Sequence, residues 1–403
     1  MRRLQDLAAK KPIRIAVLCV LALMAAVSVY AGIKNALEYS QDFQWDAAKA
    51  LSMRLDPYEL SLSPEKASEY PQLDEFYRMF TDRGLKQKME ANQFPSLLML
   101  LAPMTVFAPQ TAKMVWCVLN LLFTAGIIVL LRKTFFEKTD AFDFGAVMLL
   151  MIAGTPFRNQ LGVGQHTLFA FFFFMLAVYL EGSHPERYGP GRCIAVSLCL
   201  FVSYFKYTLT APLALYFLYR KRYKEIAFSV LGHVCLTEAA AIWLGKSFIY
   251  MLRSPLKVAS ALAAEGGIDL GVLLGGTASL IVAFVIAVIL TVVTVKLPAG
   301  CDKLLFAVLI LWSLILTYHR TYDFFVLSAI AAVFGETLTE RFGEKAHNAL
   351  LCWYVILLAA VYFGLRLFGE NTASKIAVGV IYYAFTVTTT VLAIKLIRKK
   401  ENG

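Results

Sequence analysis

The chain is short of charge. Only 17% of its 403 residues are Asp, Glu, Lys or Arg, while 59% are hydrophobic. A soluble domain carries about a quarter charged residues, so this balance argues against one. Seven cysteines occur, at 19, 117, 193, 199, 235, 301 and 352, but there is no Cys-x-x-Cys pair and nearly all fall in apolar runs. That spacing argues against a disulfide framework or a zinc site and leaves the thiols as small core residues. Strand-like alternation is missing too, which disfavours a closed barrel and leaves helices as the way to satisfy a backbone in lipid. No internal repeat is visible.

What is present is a series of apolar runs of roughly 14 to 25 residues, the mark of an all-α, polytopic helical membrane protein. The formal charge of +11 requires no nucleic-acid partner, because much of it sits in short loops and reads as a topology signal. The basic start, Met1–Arg14, leads into Ile13–Ile33. This is read as an uncleaved first span with a cytoplasmic head, since the run is long for a signal peptide. Residues 34–93 then form a long extracytoplasmic loop. In it, Asp56-Pro57-Tyr58 signals a turn. Leu73, Phe76, Tyr77, Phe80 and Leu85 recur at helical spacing over Tyr70–Glu90, which fits a headgroup-plane helix or a small lid.

Phe94–Ala108 is short for a crossing and holds Pro103, so it reads as interfacial or re-entrant. Gln110–Leu131 runs inward to Arg132 and Lys133. Thr155–Gln165 is expected as an outer loop, Lys206 as an outer turn, and 220–224 as the most basic cytoplasmic loop. About twelve spans result, with both termini cytoplasmic, in one integral membrane domain covering 1–403.

One polar stretch, Ser40–Ala48, follows directly on the first span. Its carboxylates Asp42 and Asp46 lie one helical turn apart, outside the hydrocarbon; Asp42 equally fits the cap of a surface helix. With this topology Asp42, Asp46, Arg158, Asn159, Gln165, His166, Lys206, His319, Arg320, Tyr322 and Asp323 all fall at outer span ends. Polar groups near membrane depth usually face a cavity. A carboxylate base beside cations suits a reaction at an anionic lipid head, the base taking a proton from a hydroxyl and the cations stabilising a phosphate leaving group. Each has a plainer reading: Lys206 snorkels, His319 and Arg320 anchor at the interface, Gly162-x-Gly164 is a turn rather than a phosphate cradle, and Phe171–Phe174 packs.

Asp42-Phe43-x-Trp45-x-Ala47-Ala48 followed by Leu55-Asp56-Pro57-Tyr58 resembles the D-F-x-x-Y-x-A-A and G-x-D-P-Y pattern of glycosyltransferase family 87. Phe94-Pro95-Ser96-Leu97 with Ala102-Pro103, Trp116 with Leu119-Asn120, Gly164-Gln165, Lys206, and His319–Asp323 resemble its later motifs, in order over about 40–325. Ser96 and Tyr207 stand where that pattern has prolines, and Leu55 replaces its glycine. The resemblance implies a GT-C fold and a polyprenyl-phosphate-sugar donor. It makes Asp42 the base of an inverting transfer and Lys206 and His319 holders of the donor phosphate, with Tyr322 and Asp323 shaping the site. The acceptor would be an extracytoplasmic glycolipid or glycan, the sugar mannose- or arabinose-like, and the protein a cell-membrane enzyme. No cofactor is required, though a divalent metal is compatible. The other class that fits a chain of this kind is a transporter or lipid flippase, which would place its charges at mid-membrane and show repeats.

Overall fold

The computed structural model describes residues 11–40, 43–82, 89–183, 188–262, 268–334, 342–369 and 372–401, and every element among them is helical. Gln41 and Asp42 lie outside the described residues, as does Leu85. The first helix, α1 (Lys11–Tyr39), is longer than the expected span Ile13–Ile33. Its buried stripe is small: Ala25, Ser28, Gly32 and Ala36. Small residues let a neighbouring backbone approach closely, and a Cβ on Gly32 would stand 2.9 Å from Leu161. For orientation, the end of α1 holding Arg14 is the basic end, and the end holding Tyr39 the cap end.

The cap end carries most of the long loop. Helices α2 (Trp45–Ser52), α3 (Pro57–Leu62), α4 (Pro71–Thr81) and α5 (Pro95–Leu101) pack there around a second hydrophobic cluster that includes Phe43, Trp45, Phe76, Phe80 and Leu97. Trp45 stacks on Phe76 at 5.6 Å. The expected turn at Asp56-Pro57-Tyr58 is a helix start: Asp56 accepts from the backbone N–H of Tyr58 and of Glu59, with Pro57 at the first position. The apolar face predicted over Tyr70–Glu90 is real in α4, but Leu73, Phe76, Tyr77 and Phe80 are buried against protein. That face is therefore not offered to lipid headgroups. Phe94–Ala108 becomes α5 and a short 3-10 turn, Ala102–Val106.

The bundle follows. Helix α6 (Pro109–Thr134) runs to the basic end. Helix α7 (Ala141–Ala153) starts there, where Arg14 meets Asp140 at 2.6 Å. Thr155–Gln165, expected as a loop, is instead mostly helix α8 (Thr155–Val163), which continues α7 after a 53° bend. Pro156 sits in its first turn, where proline begins a helix rather than breaking one. Next come α9 (Thr167–Gly182), α10 (Pro190–Ser203), α11 (Tyr207–Leu213), α12 (Leu215–Tyr219), α13 (Tyr223–Leu244) and α14 (Phe248–Leu262). The chain then forms α15 (Leu270–Leu274), α16 (Gly276–Lys296), α17 (Asp302–Leu316) and a 14-residue 3-10 helix, Thr321–Phe334. It ends with α18 (Glu344–Ala359), α19 (Leu365–Phe368) and α20 (Thr372–Glu401).

Among the described residues, seven helical stretches are long and apolar enough to cross a bilayer, or eight with the bent pair α7–α8. That is fewer than the twelve expected, because other legs are short helices. One of the seven, Pro190–Leu213, is not a single pass. Arg220 and Arg222 both grip the buried Glu181, at 3.0 and 2.9 Å, and the Tyr188 hydroxyl donates to Glu225. Residues on both sides of this stretch therefore meet at the basic end, which requires α10 to go out and α11–α12 to return, turning at Tyr204–Lys206. The basic loop 220–224 thus also clamps three helices.

Cys117, Cys199 and Cys301 are buried as expected, whereas Cys19, Cys235 and Cys352 are exposed. They sit on outward faces of α1, α13 and α18, where a thiol is one more small apolar group.

Candidate active site

Three turns meet at the cap end of the bundle: 164–166 between α8 and α9, 204–206 between α10 and α11, and 317–320 after α17. The legs leading to them are short. At 1.5 Å per residue, α9, α10 and α17 are about 24, 21 and 22 Å long, against roughly 30 Å of hydrocarbon. Their turns are thus sunk beneath the cap helices, where Gln165, His166, Phe205 and His319 are buried.

Asp323 is the hub. Its Oδ2 lies 2.7 Å from His319 Nδ1 and 3.2 Å from Lys206 Nζ, and its Oδ1 accepts from the Thr167 hydroxyl. Asp323 and His319 are fully buried and Lys206 nearly so. The carboxylate balances the ammonium, which keeps a charge pair tolerable at this depth. His319 Nε2 is buried and has no hydrogen-bond partner among the described residues. Lys206 also reaches Gln165 Oε1 at 3.4 Å and lies 5.6 Å from the centre of the Tyr322 ring.

The 164–166 turn is braced from all sides. The Trp116 indole N–H donates to Gly164 O at 2.7 Å, and the Gln160 amide donates to Gln165 O at 2.7 Å. Gly164 adopts φ +74°, the left-handed conformation glycine takes readily after a helix. His166 Nε2 donates to the Phe43 carbonyl at 3.1 Å. Ser40 is buried against Gly164. The residues flanking Gln41 and Asp42 therefore both rest on this turn.

The structure brings Gln165, His166, Lys206, His319, Tyr322 and Asp323 together. Arg320 adjoins them: its carbonyl accepts from Asp323 N–H at 3.0 Å and its side chain donates to the Tyr318 hydroxyl at 2.6 Å. Others stand apart. Arg158 bonds to its neighbour Asn159 at 3.0 Å. Asp46 sits away in the cap, where it accepts from Ala47 N–H at 2.9 Å and from the Tyr77 hydroxyl at 3.1 Å. Burial pushes its pKa up to about 6. Thr167, Gln160 and the Phe43 carbonyl were not anticipated. A Thr directly after a predicted turn was the one available signal, and Gln160 was hidden in a stretch read as loop. Among the described residues no group of three or more His, Cys, Asp or Glu is placed to hold a metal ion.

On the other side of the 204–206 turn, an apolar groove of about 700 Å³ runs between α5, α11–α12 and α13. Its cap end is formed by Phe94, Ser96, Tyr204 and Tyr207, and its far end by Leu218 and Ile226.

The model of glycosyltransferase family 87 matches residues 95–338, more than half of the chain. The chain belongs to glycosyltransferase family 87. The matched span takes in Gln165, His166, Lys206, His319 and Asp323 and begins after Asp42. Searches of curated proteins and of solved structures returned no match. As a family 87 protein with multiple apolar helices, it is a membrane glycosyltransferase acting on a sugar donor and an acceptor.

Proposed function

We propose that this glycosyltransferase moves a mannose- or arabinose-like sugar from a polyprenyl-phosphate carrier to a glycolipid or glycan on the extracytoplasmic face of the cell membrane. In this reading the cap end faces outward, both termini are cytoplasmic, and no metal is required. The observation that carries it is the buried Lys206–Asp323–His319 cluster, gathered beneath the cap and next to Phe43. Asp42 precedes Phe43 in the sequence, and the base role proposed for it rests on the family resemblance.

The acceptor hydroxyl attacks the anomeric carbon from the side opposite the phosphate, and Asp42 takes its proton. The bond from that carbon to the phosphate oxygen breaks, its electron pair leaves with the polyprenyl phosphate, and the configuration inverts. Lys206 stabilises the departing charge, and His319, with Nδ1 bonded to Asp323, adds to it only as the imidazolium, which donates from Nε2. Asp323 holds both in place. Gln165, His166 and Tyr322 line the sugar; Arg320 and the Arg158–Asn159 pair stand at the approach. For Asp46 we propose a supporting role, holding α2 against α4 through Tyr77.

The test is the purified protein in lipid nanodiscs with a panel of labelled polyprenyl-phosphate sugars, scored for product on lipid and glycan acceptors. Asp42→Asn is expected to fold normally and lose about 10²- to 10⁴-fold in rate. A folded, fully active variant ends the assignment.

A further inference from the structure

The two positions where this chain departs from the family pattern with non-proline residues, Ser96 and Tyr207, line the same groove. The groove is otherwise almost entirely apolar, so its few polar groups stand out. His233 Nε2 lies 2.8 Å from the Phe201 carbonyl, which can only accept, so a neutral His233 carries its proton on Nε2. Its Nδ1 is then an acceptor, and the Ser96 hydroxyl 2.9 Å away donates to it. The pair ties α5 to α13 and to the end of α10, where a helix has spare carbonyls. Two residues before Ser96, Phe94 packs on the Tyr207 ring at 4.9 Å. The Tyr207 hydroxyl makes no hydrogen bond among the described residues. A prolyl residue in place of Ser96 or Tyr207 would supply neither the lock nor that donor.

From Tyr207 to Leu218 the groove follows about 16 Å of helix. That is close to half of a hydrocarbon core of roughly 30 Å, the depth of one leaflet. Its polar end lies at the cap, where the esters of a glycerolipid would sit just below the headgroup. A prenyl chain offers no acceptor there and would leave the hydroxyl proton buried and unpaired.

We propose that this groove seats an acyl chain of a diacyl glycolipid acceptor, with the Tyr207 hydroxyl donating to its ester carbonyl and Ser96–His233 positioning Tyr207 through Phe94. The word acceptor rests on the proposed reaction; the binding site does not. The probes are a diacylglycerol monoglucoside, its dialkyl ether counterpart, which lacks the carbonyls, and polyprenyl phosphate. Binding to the full-length protein in detergent is followed by native mass spectrometry, with no sugar donor present. The ester lipid is expected to bind about tenfold tighter than the ether, the scale of one buried hydrogen bond. Tyr207→Phe should abolish the preference, and Ser96→Ala should reduce it, while ether binding stays unchanged in both. Equal binding of ester and ether by the unmodified protein overturns the proposal. So does a preference that survives Tyr207→Phe, or displacement of the diacyl probe by polyprenyl phosphate, which would give the groove to the donor tail. A retained ester preference in a protein that transfers no sugar would sink the proposed reaction alone.

Discussion

A carboxylate held by a lysine, a histidine and a threonine inside an apolar bundle depends on every partner staying in place. Removing one charge of a buried pair costs about 3–5 kcal/mol, because the other is left uncompensated. Lys206→Ala is therefore expected to lower thermal stability markedly by stranding Asp323, and Lys206→Met with Asp323→Asn should recover much of it. A double-mutant cycle on melting temperatures measures the coupling; additive effects would contradict the pair. Donor affinity should stay weak in the double variant, because the ammonium is gone.

Asp46 makes a separate, pH-readable statement. Its pKa is raised from 3.8 to about 6 by burial, so the folded state holds the proton more tightly than the unfolded one. The stability this gives is fully present below pH 3.8 and is lost as pH rises through 6, a swing of roughly 3 kcal/mol. Between pH 5 and 8 the cap of the unmodified protein should lose more stability than that of Asp46→Asn, read by tryptophan fluorescence melts at each pH. Parallel curves would contradict the assignment.

The polar residues of the bundle were legible in the sequence because ionisable groups at span ends are rare and costly. Their pairing was not. That Asp323 sits between Lys206 and His319 depends on three turns meeting in space, and Thr167 looks in sequence like any residue at a helix start.

At the scale of elements, the apolar runs of α1, α6 and α13 could be read directly, since length and composition alone define a crossing. The error came at Thr155–Gln165. Thr155–Gln165 contains Pro156, Arg158, Asn159 and Gln160 and looks like a loop. It is helical because α1 offers it a smooth groove: at Gly162 an added Cβ would stand 2.9 Å from Asn35. The 3-10 form of Thr321–Phe334 was also invisible. With a rise of about 2 Å per residue it stretches 14 residues to roughly 28 Å, nearly the thickness of the hydrocarbon. Gly164 gives a direct test of the turn. Gly164→Ala places a side chain at φ +74°, with its Cβ 2.6 Å from Ser40 Oγ, and should cost about 1–3 kcal/mol. Transfer should fall with it, since residues 165–167 shift. Gly189→Ala, where nothing lies within 4 Å, serves as the control in the same melting and activity assays.

For the whole molecule, the proposed orientation is open to a test without mutation. Lys66 lies on the cap and Lys221 in the loop at the basic end, both exposed. A lysine reagent that cannot cross membranes should modify Lys66 in intact cells and reach Lys221 only after lysis, as mapped by peptide mass spectrometry. The reverse pattern would turn the enzyme over and move its chemistry to the cytoplasm.

The long helices and the short ones also occupy different places. α1, α13 and α16 expose most of their apolar surface, while α17 and Thr321–Phe334 are almost wholly enclosed. The surrounding bilayer thus grips an outer palisade, and the floor that carries His319 and Asp323 hangs within it without touching lipid on most sides. Thinning or thickening the membrane should tilt the palisade and leave the spacing of Lys206, His319 and Asp323 as it was, so that a single enzyme would serve membranes of unlike thickness at similar speed.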